Sequence, residues 1–197
     1  MSVTTVSTFF AVGTLLLGAA LITLVLVWLG SLVSNRLRTV RRAFAASFDG
    51  YGLRLAWLVS IVATLGSLFY SQVAHYIPCE LCWYQRIAMY PLVVVLGIAV
   101  VRRDEAVRRY VIPVAAIGAI ISTYHYVIQQ FPDLAVTSCS ATGVPCTGHW
   151  VWKFGFVSIP LMALACFGTI LAVLILDRAH RTPPVEIPDP QPIEEAS

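Results

Sequence analysis

The first chemistry in the chain lies in Pro78-Cys79-Glu80-Leu81-Cys82-Trp83-Tyr84-Gln85-Arg86. Two thiols separated by two residues can close a disulfide, open it, or exchange it with another thiol. The pair stands where one apolar stretch ends and the next begins. Thiols at a helix N-terminus meet the positive end of its dipole, which favours thiolate, while Glu80 between them works against it. At 3.6 residues per turn, Cys79, Cys82 and Arg86 fall within about 60° of one another on one face. Arg86 lies about 6 Å further along the axis than Cys82. A charge inside a membrane span is costly and marks function by default, although an arginine this near a helix end can also snorkel to the headgroups.

Five cysteines fall into two pairs, Cys79/Cys82 and Cys139/Cys146, with Cys166 left over as an inert buried thiol. A Cys-x-x-Cys is also half of a zinc site. No second such motif and no His-x-x-x-His accompanies it, so the spacing assigns no metal. In Cys139-Ser-Ala-Thr-Gly-Val-Pro-Cys146, Gly143 and Pro145 let the chain fold back. Closing that ring would constrain the unfolded chain by about 2–3 kcal/mol, which is the reading of a structural staple. The other reading is an exchangeable disulfide on a mobile loop that reaches both a partner and Cys79. His125, flanked by Tyr124 and Tyr126, lies about 9 Å below the end of its helix, as deep as Arg86; it is either a packing residue or a functional one.

The elements that must position these groups are membrane helices. The chain is 58% hydrophobic and 12% charged, against about 25% charged in soluble domains. Its long uniform apolar runs exclude a barrel of alternating strands. The arginines flank apolar spans and form no aromatic-interleaved basic surface, which excludes nucleic-acid binding. Five spans are predicted: Phe9–Val33, Leu55–Val73, Cys79–Val101 with a kink at Pro91, Tyr110–Phe131, and Phe154–Leu176. Before the first, no basic segment marks a signal peptide, and the run is too long for one. Asn35–Arg54 is a basic loop with the makings of an interfacial helix. Trp150 and Trp152 read as interfacial anchors, and the Pro-rich acidic tail Thr182–Ser197 as disordered. With the 35–54 loop in the cytoplasm, 11 of the 13 Lys and Arg lie on that side, so the N-terminus is outside and the C-terminus inside. The 76–84 turn and the 132–153 loop then both face the oxidising side. Three regions result: a span and basic loop over 1–53, a bundle over 54–181, and a tail over 182–197.

The ordered motifs Cys-Glu-Leu-Cys-Trp-Tyr-Gln-Arg, Met89-Tyr90-Pro91, Tyr124-His125-Tyr126, Val144-Pro145-Cys146-Thr147, Phe154-Gly155-Phe156 and Ser158-Ile159-Pro160 resemble the DsbB/BdbC family over about residues 54–177. The resemblance implies an all-α integral membrane protein of the cell membrane. Its four-helix bundle would carry one extra N-terminal span, and the short cysteine loop resembles the BdbC branch. It implies an enzyme that reoxidises an extracytoplasmic DsbA-like thioredoxin-fold partner and passes the electrons to a membrane quinone, ubiquinone or menaquinone. In that reading the partner attacks Cys139, Cys146 attacks Cys79, and Cys82 reduces the quinone beside Arg86, with His125 at the position of a quinone-side histidine. A vitamin K epoxide reductase-like enzyme shares the bundle and the quinone, but its loop cysteines precede the Cys-x-x-Cys; here they follow it. A non-enzymatic metal-binding or structural membrane protein is the alternative from another class. A reductant importer would need a cytoplasmic cysteine pair, and the sequence has none.

Overall fold

A computed structural model describes residues 2–47, 50–135 and 143–181. Cys139 and the tail 182–197 lie outside the described residues. The helices are α1 (Val3–Val33), α2 (Asn35–Ser47), α3 (Gly52–Leu68), α4 (Glu80–Arg102), α5 (Arg108–Gln130) and α6 (Ile159–Arg181). Five stretches are long and apolar enough to cross a membrane: Val3–Val33, Gly52–Val73, Glu80–Arg102, Glu105–Gln130 and Ile159–Asp177. These are the five expected spans.

Their ends follow local chemistry. Ser2 caps α1 by accepting the Thr5 amide. The basic stretch after α1 is helical over Asn35–Ser47, and Arg38 Nε donates to the Ser31 carbonyl at 2.8 Å, tying α2 to the end of α1. α3 runs on into a π turn, Phe69–Val73, closed by the Ala74 amide on the Phe69 carbonyl at 3.0 Å. This widened turn, which periodicity alone does not reveal, turns Tyr70 into the interior at 5% exposure. Pro91 sits inside α4 without ending it. The fifth span begins five residues later than predicted. Residues 153–157 form a tight turn instead, with Lys153 and Val157 exchanging backbone hydrogen bonds of 2.9 and 2.8 Å. Phe154 and Gly155 have φ of 54° and 79°, left-handed values that no helix can contain. Pro160 then falls in the first turn of α6, where its missing N–H is no loss.

α3 to α6 form the bundle, with Leu92, Leu96, Val111, Phe167, Ile170 and Leu174 at its centre. Gly118 lets α5 close on α6, because a Cβ there would collide with the Phe167 ring. α1 packs outside the bundle through the small buried residues Ser7, Ala11 and Thr14. Its Phe9, Leu16, Ile22 and Leu26 face outward, as lipid-facing side chains would. At the end of the bundle away from the Cys-x-x-Cys, Arg108 pairs with Glu105 and with the fully buried Asp177. Asp177 also accepts the Gly50 amide, so this charge cluster ties the start of α3 to α5 and α6.

Candidate active site

Cys79 is the N-cap of α4, extended at φ −73° and ψ 173°, and Cys82 lies one turn on. Their sulfurs are 2.9 Å apart. Two thiolates on a tetrahedral zinc, each about 2.3 Å from the metal, would stand about 3.8 Å apart. The closer spacing leaves the pair one short movement from a disulfide of about 2.05 Å. His125 joins them, so that the three ligating atoms lie within 4.8 Å of one another. Cys79, just outside the span, is 4% exposed. Its hydrogen bond to Cys82 and then its burial push the thiol up from 9.0 to about 12, against a smaller opposing pull from His125.

His125, on α5, is 1% exposed. Its Nε2 is 3.6 Å from the Cys79 sulfur and 3.1 Å from the Cys146 carbonyl. A carbonyl can only accept, so Nε2 carries the hydrogen. Nδ1 is then the acceptor, and the Gln85 amide of α4 donates to it at 3.3 Å. One turn on from His125, Gln129 Nε2 donates to the Gly148 carbonyl at 2.9 Å. Two α5 side chains thus hold the loop on either side of Thr147. Cys79, Leu81, Ile128 and Cys146 are buried together, with Cys82 at the edge of the cluster. Gln85 and Gln129 escaped the sequence analysis. The usable signal was spacing, since Gln129 follows His125 by four residues and Gln85 follows Cys82 by three, each on the same helical face.

A cavity of about 290 Å³ lies between α1, α3, α4 and α6. Its wall includes Cys82 and Arg86 and is otherwise mostly apolar, with Met89, Met162 and Phe167 among its side chains. Half-buried Arg86 donates from Nη2 to the Ser67 carbonyl at 3.2 Å, and its guanidinium lies 5.4 Å over the Trp83 ring. Tyr70, Tyr76 and Trp150 stack in sequence, with ring centres 6.0 and 5.2 Å apart, and border the same space. A smaller pocket on the other side is bordered by Cys79, Cys82, His125 and Gln129. Cys82 alone of the four grouped residues belongs to both. The structure therefore brings Cys79, Cys82, Cys146 and His125 together and sets Arg86 beyond Cys82 along the apolar cavity. His125 does not border that cavity; it stands on the thiol side. Cys166 borders the cavity too, away from the thiol cluster.

Comparison with known proteins places this arrangement. The family model for disulfide bond formation protein DsbB matches residues 51–177, leaving α1 and α2 outside it. The disulfide bond formation protein C of Bacillus subtilis (strain 168) is 45% identical over 130 residues, 66% of this chain and 94% of that protein. A probable disulfide formation protein C 1 of Bacillus anthracis is 52% identical over 120 residues, 61% of this chain and 86% of that one. The probable disulfide formation protein C of Halalkalibacterium halodurans is 45% identical over 121 residues, 61% and 88%. No solved structure matches. The chain belongs to the DsbB family of disulfide bond formation proteins, and is a multi-pass membrane thiol–disulfide oxidoreductase.

Proposed function

We propose that the protein oxidises the dithiol of an extracytoplasmic DsbA-like thioredoxin-fold partner and delivers the electrons to a membrane quinone, ubiquinone or menaquinone. The observation that carries this reading is the apolar cavity of about 290 Å³ with Cys82 and Arg86 in its wall. A quinone supplies an acceptor for two electrons and two protons. The cavity suits its apolar body, and Arg86 is the cation at the wall that would hold negative charge growing on a ring oxygen. The positive-inside distribution of arginines supports the thiols facing outward.

The exchange runs in balanced steps. A partner thiolate attacks Cys139 of the Cys139–Cys146 disulfide, and Cys146 leaves with the electron pair. The second partner thiol displaces Cys139, so the partner departs oxidised. Cys146 thiolate attacks Cys79 of the Cys79–Cys82 disulfide, and Cys82 leaves as thiolate. Cys139 then displaces Cys79 from Cys146, restoring the loop disulfide, and Cys79 takes up a proton. His125 assists by holding the Cys146 carbonyl beside the Cys79 sulfur, which makes the attack a local event. With a quinone in the cavity, Cys82 would supply the electron pair and Cys79 one proton as their disulfide closes, and solvent the second proton needed for the quinol.

The test uses full-length protein in lipid nanodiscs with quinone and a reduced thioredoxin-fold dithiol, following quinol. Wild type should form one quinol per dithiol oxidised, and Cys82→Ser none. Arg86→Ala should raise the KM for quinone. Full quinone reduction by Cys82→Ser would refute the assignment. Stoichiometric zinc with no quinone reduction would replace it with a metal site on Cys79, Cys82 and His125.

A further inference from the structure

We propose that α1 is a working wall of the quinone site and that Gly13 sets the room available to the bound quinone. The inference rests on the quinone reading above and extends it to a helix outside the family match, which begins at residue 51.

α1 meets α3 at Gly66. The Phe10 ring lies against Gly66, where an added Cβ would come within 3.0 Å of it, and faces Tyr70 at 6.1 Å. One turn further along α1 the contact opens. Gly13 borders the cavity, yet a Cβ built on it meets nothing within 4 Å. A side chain there would enter the cavity unopposed by any neighbour. Gly18 is the natural contrast, on the same helix with equally empty surroundings but no part in the cavity wall.

Without α1, the space beside Cys82 and Arg86 would open between α3 and α6 onto lipid, and acyl chains would compete for it. With α1, the space is bounded on that side by Gly13, Thr14 and Leu17. Its volume of about 290 Å³ is at the lower end of the about 300–1,000 Å³ typical of small-molecule sites. That accommodates a quinone ring and the beginning of its isoprenoid chain. Leu17 of α1 and Val62 of α3 also border the cavity, so with the ring at Cys82 and Arg86 the chain would leave between these two helices. Glycine at position 13 keeps that exit open.

The experiment titrates full-length protein in quinone-free nanodiscs with a quinone bearing a single isoprene unit, read by quenching of tryptophan fluorescence. Gly13→Leu should raise the Kd at least about tenfold, Gly13→Ala by less, and Gly18→Leu should leave it unchanged. Equal binding by wild type and Gly13→Leu would overturn this inference and leave the quinone reading standing, whereas no binding by wild type would remove both. Equal losses in Gly13→Leu and Gly18→Leu would also overturn it, as a general disturbance of α1. A photoreactive quinone applied to the unaltered protein is independent of any folding defect. Label on α1 is expected, and label confined to α3, α4 and α6 would refute the proposal.

Discussion

His125→Leu isolates the contact between loop and helix. The leucine keeps the site filled but removes two hydrogen bonds of the imidazole, to the Cys146 carbonyl at 3.1 Å and from Gln85 at 3.3 Å. The site is buried, with His125 at 1% and Cys146 at 3% exposure, so water does not replace them. The bond to the Cys146 carbonyl is the one that ties the loop to the helix, and at about 0.5–1.5 kcal/mol its loss loosens the docked loop by that amount, while the Gln85 bond orients the ring. That corresponds to about a 2- to 13-fold fall in the docked population, and the Cys146-to-Cys79 transfer should slow by the same factor. The assay is single-turnover reduction of the Cys79–Cys82 disulfide by a reduced thioredoxin-fold dithiol, with quinone absent so that its binding plays no part. His125→Gln can both donate to the Cys146 carbonyl and accept from Gln85, and should recover much of the rate. An unchanged rate in His125→Leu, or a His125→Gln variant as slow as the leucine, would refute the clamp and return His125 to a packing role.

Three further outcomes are expected. Reduced Cys79 should resist alkylation at neutral pH, its rate climbing until about pH 12, and Cys82→Ala should bring that midpoint back toward 9.0 by removing the larger cause of the shift. Because the folded thiol keeps its proton where the unfolded one has lost it, the reduced protein should lose stability as pH rises from 9.0 toward 12, while the disulfide form should not; melting curves of the two forms measure this. At the other end of the bundle, Asp177→Asn removes the buried carboxylate from Arg108 and leaves it only the part-exposed Glu105. A loss of about 3–5 kcal/mol is expected by thermal unfolding in detergent, with the isolated quinone Kd little changed; a loss under about 1 kcal/mol, the worth of a surface pair, would contradict the burial.

Much of this molecule was legible as one-dimensional pattern. Span number, the Cys-x-x-Cys at a helix start and the candidate thiols are properties of short windows, in which uninterrupted apolar length and residue spacing decide the outcome. Boundaries were less legible where backbone geometry overrode hydropathy. Phe154–Ser158 is apolar enough to continue a span, yet left-handed φ at Phe154 and Gly155 makes it a turn and delays α6 to Ile159. The π turn at Phe69–Val73 has no hydropathic signature at all.

By itself the sequence determined that this is a helical membrane protein with thiols paired near a helix cap and a cation one turn deeper, because apolar length, the helical repeat and ordered motifs are local. Only the packing of helices decided which groups meet. It set His125 beside Cys79 and Cys146, left Cys82 as the link to the apolar cavity, recruited Gln85 and Gln129, and made α1 a wall of that cavity. Those relations join residues dozens of positions apart. They depend on how helices rotate and approach one another, which small residues such as Gly66 and Gly118 govern through contacts that no single helix contains.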